Sequence, residues 1–143
     1  MANLLHSVLP TPRREAQTVT SDITVSDCVK KMTDLNIGSL VVMDKGKFLG
    51  LVTERDVIRL CIDCGLNPCK IPVKDITFKD VTILDINDTV EKAMQVMTET
   101  RRRHIMVEEN GKLVSIISIG DLMAHLLAHS AYEIEQLEKY IHA

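Results

Sequence analysis

Two short runs place a hydroxyl residue three positions before an aspartate: Gly50-Leu-Val-Thr53-Glu-Arg-Asp56 and Ser115-Ile-Ile-Ser118-Ile-Gly-Asp121. At that spacing the hydroxyl caps a helix N-terminus and the acid reaches back, forming a capping box in which Asp replaces the longer Glu or Gln. The same geometry suits a ligand. A helix N-terminus offers unpaired N–H groups and partial positive charge to phosphate. A carboxylate one turn in can accept both hydroxyls of a ribose. With one copy the structural reading would stand level; two copies favour a ligand.

Other chemistry-bearing residues are less decisive. Arg101-Arg-Arg-His104 is either a solvated cationic run favourable at a helix C-terminus or a phosphate contact, a task that suits Arg. The matching stretch Asn36-Ile-Gly-Ser39 carries no charge. Phosphate recognition is therefore expected to be asymmetric, with Arg102, Arg103 and His104 serving one site and Arg55 the other. Cys61, Cys64 and Cys69 form a C-x2-C-x4-C run that would be a zinc or redox site if a fourth ligand joined them. None stands nearby in sequence, and incidental cysteines are the simpler reading. No Gly-rich phosphate loop, Ser-His-Asp grouping or metalloprotease helix is present, and His125 and His129 lack the intervening Glu of one. The sequence therefore predicts no enzyme, no catalytic cofactor and no resident metal.

The elements that position these runs repeat. Thr24–Ile58 aligns without a gap on Thr89–Met123 at an offset of 65, with Thr24/Thr89, Val25/Val90, Met32/Met97, Thr33/Thr98, Val42/Val107, Gly46/Gly111, Lys47/Lys112 and Asp56/Asp121 identical. Apolar residues at 25, 28, 29, 32 and 35 predict a helix after an N-capping Thr24, stopped by Gly38. Strands 39–43 and 48–52 flank a turn at Asp44-Lys-Gly-Lys47, and Thr53 starts a helix running to about Cys64. The second copy predicts helix 90–101, strands 104–108 and 112–117, and a helix from Ser118. Short strands at 17–20 and 81–84 precede each copy. The reading is an α/β (α+β) fold of two βαββα units. The division expected is an N-terminal segment 1–16, first repeat 17–65, linker 66–80, second repeat 81–124 and helical extension 125–143. Units this small are marginal alone, so the two are expected to pack with pseudo-twofold symmetry, creating paired clefts.

Composition narrows the classes. Seventeen Lys and Arg against 20 Asp and Glu give a net charge of −3, which disfavours a polyanion binder working by bulk charge. Two Tyr, two Phe and no Trp are few for stacking single-stranded bases. No apolar run approaches a membrane span. The N-terminus does not read as a secretory leader, and four cysteines are too few for a disulfide scaffold. A reducing, cytoplasmic location is expected.

The duplicated unit, its element order and the Gly-apolar-apolar-Thr-x-x-Asp signature resemble the cystathionine-β-synthase (CBS) domain pair, or Bateman module. The resemblance runs from about Gln17 to Met123, and Thr53-Glu-Arg-Asp56, Arg103-His-Ile-Met-Val107 and Ser118-Ile-Gly-Asp121 are similar to runs of small stand-alone prokaryotic CBS-pair proteins. It implies a regulatory module that binds an adenosine nucleotide (AMP, ADP or ATP, or else NADH or S-adenosylmethionine) and signals to a partner protein. It implies ribose contacts by Asp56 and Asp121, with Thr53 and Ser118 near ribose or phosphate. It also implies that Val19, Thr20, Leu40, Ile83, Leu84 and Ile105 flank the adenine. The chain departs from the family pattern at Val41 and Met106, where Pro is common, and at Ser115, where Gly is common. The competing expectation is a non-catalytic dimeric scaffold with unoccupied clefts.

Beyond the repeat, Met123, Leu127, Ser130, Ile134, Leu137 and Ile141 recur at spacings of 4 and 3, a heptad stripe. Glu135 and Lys139 make an i,i+4 pair on its outer side. The stripe either packs back on its own domain or pairs with a second chain. Because it outlasts the repeat, a homodimer contact is expected.

Overall fold

The computed structural model describes residues 3–9 and 16–142, with side chains as far as Lys139. These divide into two compact units, one of residues 16–81 and one of 3–9 with 82–142.

In the first unit, β1 (Thr18–Thr20) leads through α1 (Val25–Leu35) to β2 (Ser39–Asp44), which turns into β3 (Lys47–Thr53). The sheet order is β1-β2-β3, with β1 parallel to β2 and β3 antiparallel to it. The turn has Lys45 at φ 51 and Gly46 at φ 77, the two left-handed residues that a tight hairpin requires. The Thr24 hydroxyl accepts from Asp27 N–H at 3.1 Å and caps α1. The helix ends at Asn36, in the left-handed conformation at φ 53. Asn36 thus makes the stop expected at Gly38, since its short polar side chain tolerates that region.

The second unit repeats this at the same offset: β4 (Ile83–Asp85), α3 (Val90–Thr100), β5 (His104–Glu109) and β6 (Lys112–Ser118), in sheet order β4-β5-β6. Asn110 and Gly111 copy Lys45 and Gly46, and Arg101 (φ 56) copies Asn36. Both hairpins carry a bulge at the same place, Val42/Met43 and Val107/Glu108. The cores correspond as well. Val25, Cys28, Met32, Leu40, Val42, Val52 and Val57 are buried in one cluster. Val90, Ala93, Met97, Ile105, Val107, Ile117 and Leu122 are buried in the other. Cys28 serves as a small apolar residue, and burial pushes its thiol up to about 11.

Each unit is closed by a strap from elsewhere in the chain. In the first, Val73 N–H donates to Ile23 C=O at 2.7 Å and Lys74 N–H to Ser21 C=O at 3.1 Å, while Val73 and Ile76 enter the core. In the second, Leu5 N–H donates to Asp88 C=O at 2.9 Å and His6 N–H to Ile86 C=O at 3.0 Å, while Leu5 and Leu9 enter the core. The receiving residues 21, 23 and 86, 88 are again 65 apart. The segments that read as an N-terminal extension and a linker are therefore equivalent structural parts. Each precedes one unit in sequence and completes the other.

The second helices differ. The helix expected from Glu54 to about Cys64 is a single α-turn, Glu54–Asp56 (α2), that widens into a π-helix over Val57–Ile62. In the other unit Ile119–His142 is one continuous helix (α4). No helix among the described residues is long and apolar enough to cross a membrane.

Candidate functional site

Both predicted boxes form. In the first unit the Thr53 hydroxyl accepts from Asp56 N–H at 3.2 Å, and Asp56 Oδ2 accepts from the N–H and the hydroxyl of Thr53, both at 3.0 Å. In the second, Ser118 Oγ accepts from Asp121 N–H at 3.1 Å and Asp121 Oδ2 from Ser118 N–H at 2.9 Å. Asp56 is only 4% exposed, whereas Asp121 is exposed. A buried carboxylate is costly unless hydrogen-bonded, so Thr53, with its second donor, explains part of why an acid can stand at 56.

An equivalent backbone link in each unit ties the box to the residue just before β2 or β5. Glu54 N–H donates to Gly38 C=O at 3.0 Å, and Ile119 N–H to Arg103 C=O at 2.8 Å. Arg103 is thereby fixed at the mouth of the Ser118–Asp121 box, with its side chain exposed and those of Arg102 and His104 half-buried. At the equivalent place in the first unit, a Cβ on Gly38 would lie 3.5 Å from the Glu54 carboxylate carbon. The box of the second unit thus has Arg103 beside it, where the first has Gly38 with the Glu54 carboxylate nearby. Arg55 is exposed on α2.

Four of the six residues expected to flank an adenine are core residues. Val19 and Leu40 belong to the first unit's buried cluster, and Leu84 and Ile105 to the second's. Thr20 and Ile83 are exposed. The strands are apolar on both faces: Val41 pairs with Thr18 and Met106 with Ile83, and both are buried outside the two clusters. A run such as Leu40-Val-Val42 has no polar alternation from which to tell the helix-covered face from the other. The face carrying Thr18, Thr20, Val41, Ile83 and Met106 is the one turned away from the helix-covered cores.

The cysteine run is dispersed in chemistry. Cys61 is buried with its thiol 3.6 Å from Leu66 C=O, while Cys64 and Cys69 are exposed. Among the described residues no three His, Cys, Asp or Glu side chains are grouped to hold a metal.

Gly50 is a site residue that motif reading leaves unexplained. A Cβ there would stand 2.0 Å from Phe78 C=O oxygen, because the strap crosses β3 at that point. Leu51 and Phe78 exchange main-chain hydrogen bonds of 2.9 and 2.8 Å across it. The glycine that opens the Gly-apolar-apolar-Thr signature is thus required by a backbone crossing one turn before the box.

A model of the CBS domain matches the chain twice, over residues 7–63 and 73–128. The chain belongs to the CBS-domain family. Each match begins within or beside a strap and ends in a second helix, so the family unit in sequence includes the strap that closes its neighbour. A mitochondrial CBS domain-containing protein of Arabidopsis thaliana is 35% identical over 127 residues, covering 85% of this chain and 62% of that one. The chain thus spans less than two thirds of that relative, and 61% of one from Methanopyrus kandleri. A solved Burkholderia ambifaria protein with CBS domains, titled as a candidate for signal transduction, is 34% identical with a TM-score of 0.81, covering 87% of this chain and 91% of that one. A hexameric CBS protein from bloom-forming cyanobacteria is 25% identical with a TM-score of 0.77, covering 86% and 67%. CBS pairs of this kind are regulatory or signal-transduction modules.

Proposed function

We propose that this CBS pair senses an adenosine nucleotide, AMP or ATP foremost, and relays its binding to a separate protein. The observation that carries this reading is the pair of helix N-termini, each with a carboxylate held at its mouth by a hydroxyl residue. Asp56 and Asp121 would take the ribose, Thr53 and Ser118 the ribose or phosphate, and Arg103, with Arg102 and His104, the phosphates of one site. A carboxylate has about four acceptor positions, and the second box uses one of them on the exposed Asp121, so capping and ribose binding are compatible there. The clefts implied by the family resemblance would hold the ligand, and the face bearing Thr20 and Ile83 would meet the adenine. ADP, NADH and S-adenosylmethionine share the adenosine moiety and are further candidates.

Nucleotide entry would act by favouring one arrangement of the pair over another, to the extent of its differential affinity. The reading includes a homodimer, as the hexameric relative assembles, and a non-catalytic role in a reducing cytoplasm, consistent with four free cysteines. Thermal-shift measurements against AMP, ADP, ATP, NADH, S-adenosylmethionine and GTP test it. Stabilisation by adenosine ligands above GTP, without turnover, is expected. No response to any of them would leave the boxes as caps alone and favour the scaffold.

A further inference from the structure

We infer that the two boxes fill in a fixed order. The open Ser118–Asp121 box takes an adenosine nucleotide first, and the Thr53–Asp56 box takes one only when the strap latched across Gly50 lets go. This rests on the sensor reading above and deepens it. The boxes stand at equivalent positions but differ in cover. Gly50, Leu51 and Asp56 are buried, whereas the equivalent Ser115 and Ile116 are half-buried and Asp121 is exposed. Asp56 Oδ2 accepts from both the N–H and the hydroxyl of Thr53, each at 3.0 Å, while Asp121 Oδ2 accepts from Ser118 N–H at 2.9 Å. A buried carboxylate must be uncovered before a ribose reaches it; an exposed one is ready.

The strap distinguishes the two strand edges. β3 lies at the edge of its sheet, and Leu51 and Phe78 exchange main-chain hydrogen bonds of 2.9 and 2.8 Å along it. The approach is so close that a Cβ on Gly50 would overlap the Phe78 carbonyl. The second unit cannot copy this crossing. Its strap is placed by matching bonds, Leu5 to Asp88 where Val73 bonds Ile23, and His6 to Ile86 where Lys74 bonds Ser21. Counted on in step, Phe78 corresponds to Pro10, which has no N–H to give to Ile116. Gly50 corresponds to Ser115, whose Cβ denies a strap so close an approach. Both halves of the latch are therefore missing from the second copy. A site whose competent state is populated one part in ten binds about tenfold more weakly, and two main-chain hydrogen bonds are enough to set such a ratio. For a phosphate-bearing ligand, Arg103 beside the second box and Glu54 in the first act in the same direction. Adenosine, without phosphate, isolates the latch.

Calorimetric titration of AMP and of adenosine into the full-length protein tests this, in parallel with folded Asp121→Asn, Asp56→Asn, Phe78→Pro and Gly50→Ser variants. Two sites about tenfold or more apart are expected for each ligand, with Asp121→Asn removing the tighter and Asp56→Asn the weaker. Phe78→Pro and Gly50→Ser each give the first unit the residue of the second. Either should tighten the weaker site by about threefold or more, or bring it into range, and leave the tighter one unchanged. Hydrogen exchange at the Leu51 amide should quicken in the same variants. Equal affinities, or a tighter site removed by Asp56→Asn, would overturn the order of filling. A weaker site unmoved in both latch variants, with Leu51 exchange quickened, would overturn the latch as its cause. No heat from either ligand in any variant would overturn the sensor reading itself, and the order with it.

Discussion

Replacing Gly50 by alanine tests whether the strap crossing is a structural necessity. The added Cβ would meet Phe78 O at 2.0 Å, Phe78 C at 2.8 Å and Thr77 Cγ2 at 2.8 Å. Two of these atoms are backbone, so the strap itself must shift. That movement sacrifices the paired Leu51–Phe78 hydrogen bonds, at about 1 kcal/mol each. Overpacking adds about 1–3 kcal/mol, and the stiffer unfolded chain returns about 0.4–1 kcal/mol. The net loss is about 2–4.6 kcal/mol, or a melting temperature lower by about 6–14 °C at roughly 3 °C per kcal/mol for a chain of this size. The equivalent Ser115→Ala supplies the control, because that position already carries a Cβ and should change stability by less than about 0.5 kcal/mol. Urea unfolding followed by circular dichroism reads both variants. If Gly50→Ala unfolds within about 0.5 kcal/mol of the unmodified protein, the strap is not held there and the reason given for the glycine fails.

Three further perturbations probe the straps, the basic run and the charge network. Leu5→Ala removes a fully buried side chain from the second unit's core and should cost about 2–4 kcal/mol by denaturant unfolding; a near-neutral result would mean that residues 3–9 are not part of that unit. Arg103→Ala should weaken ATP binding by about tenfold or more, the range for a charge-assisted hydrogen bond, while adenosine binding stays unchanged; equal ATP affinity by calorimetry would remove its phosphate role. Hydrogen bonds from Asp85 N–H and Lys92 hold the Asp88 carboxyl below its ordinary value. Its stabilising contribution is therefore complete above the unfolded value near pH 4 and declines as pH falls through the lower folded value. Asp88→Asn should melt lower than the unmodified protein at pH 7, with the gap closing below about pH 4; a gap independent of pH would refute the charge assignment.

The repeat and its boxes were readable because their requirements are local. A left-handed turn needs Gly46 and Gly111, a cap needs Thr24 and Thr89, and each is met by residue type at fixed spacing. The straps were not readable, since Leu5 and Val73 sit in short segments without periodicity and their partners lie some eighty or fifty residues away in sequence. That the side chains of Leu40 and Ile105 belong to the cores was hidden for a related reason. Both strands are apolar on both sides, so only the packing of α1 and α3 tells which side is the core. The π-helix after Asp56 has no composition signal at all; Val57 and Leu122 occupy equivalent core positions, yet only the second helix remains regular. Gly50 stood in a recognisable signature, but its physical reason needed the position of Phe78.

Isothermal titration calorimetry of ATP and AMP into the full-length protein, alongside Asp56→Asn and Asp121→Asn variants verified as folded, bears most directly on the sensor reading. Saturable heats for an adenosine nucleotide, weakened by each substitution at its own site and absent in the double variant, are the predicted result. Absence of heat with both nucleotides, or binding undiminished in the folded double variant, would contradict it.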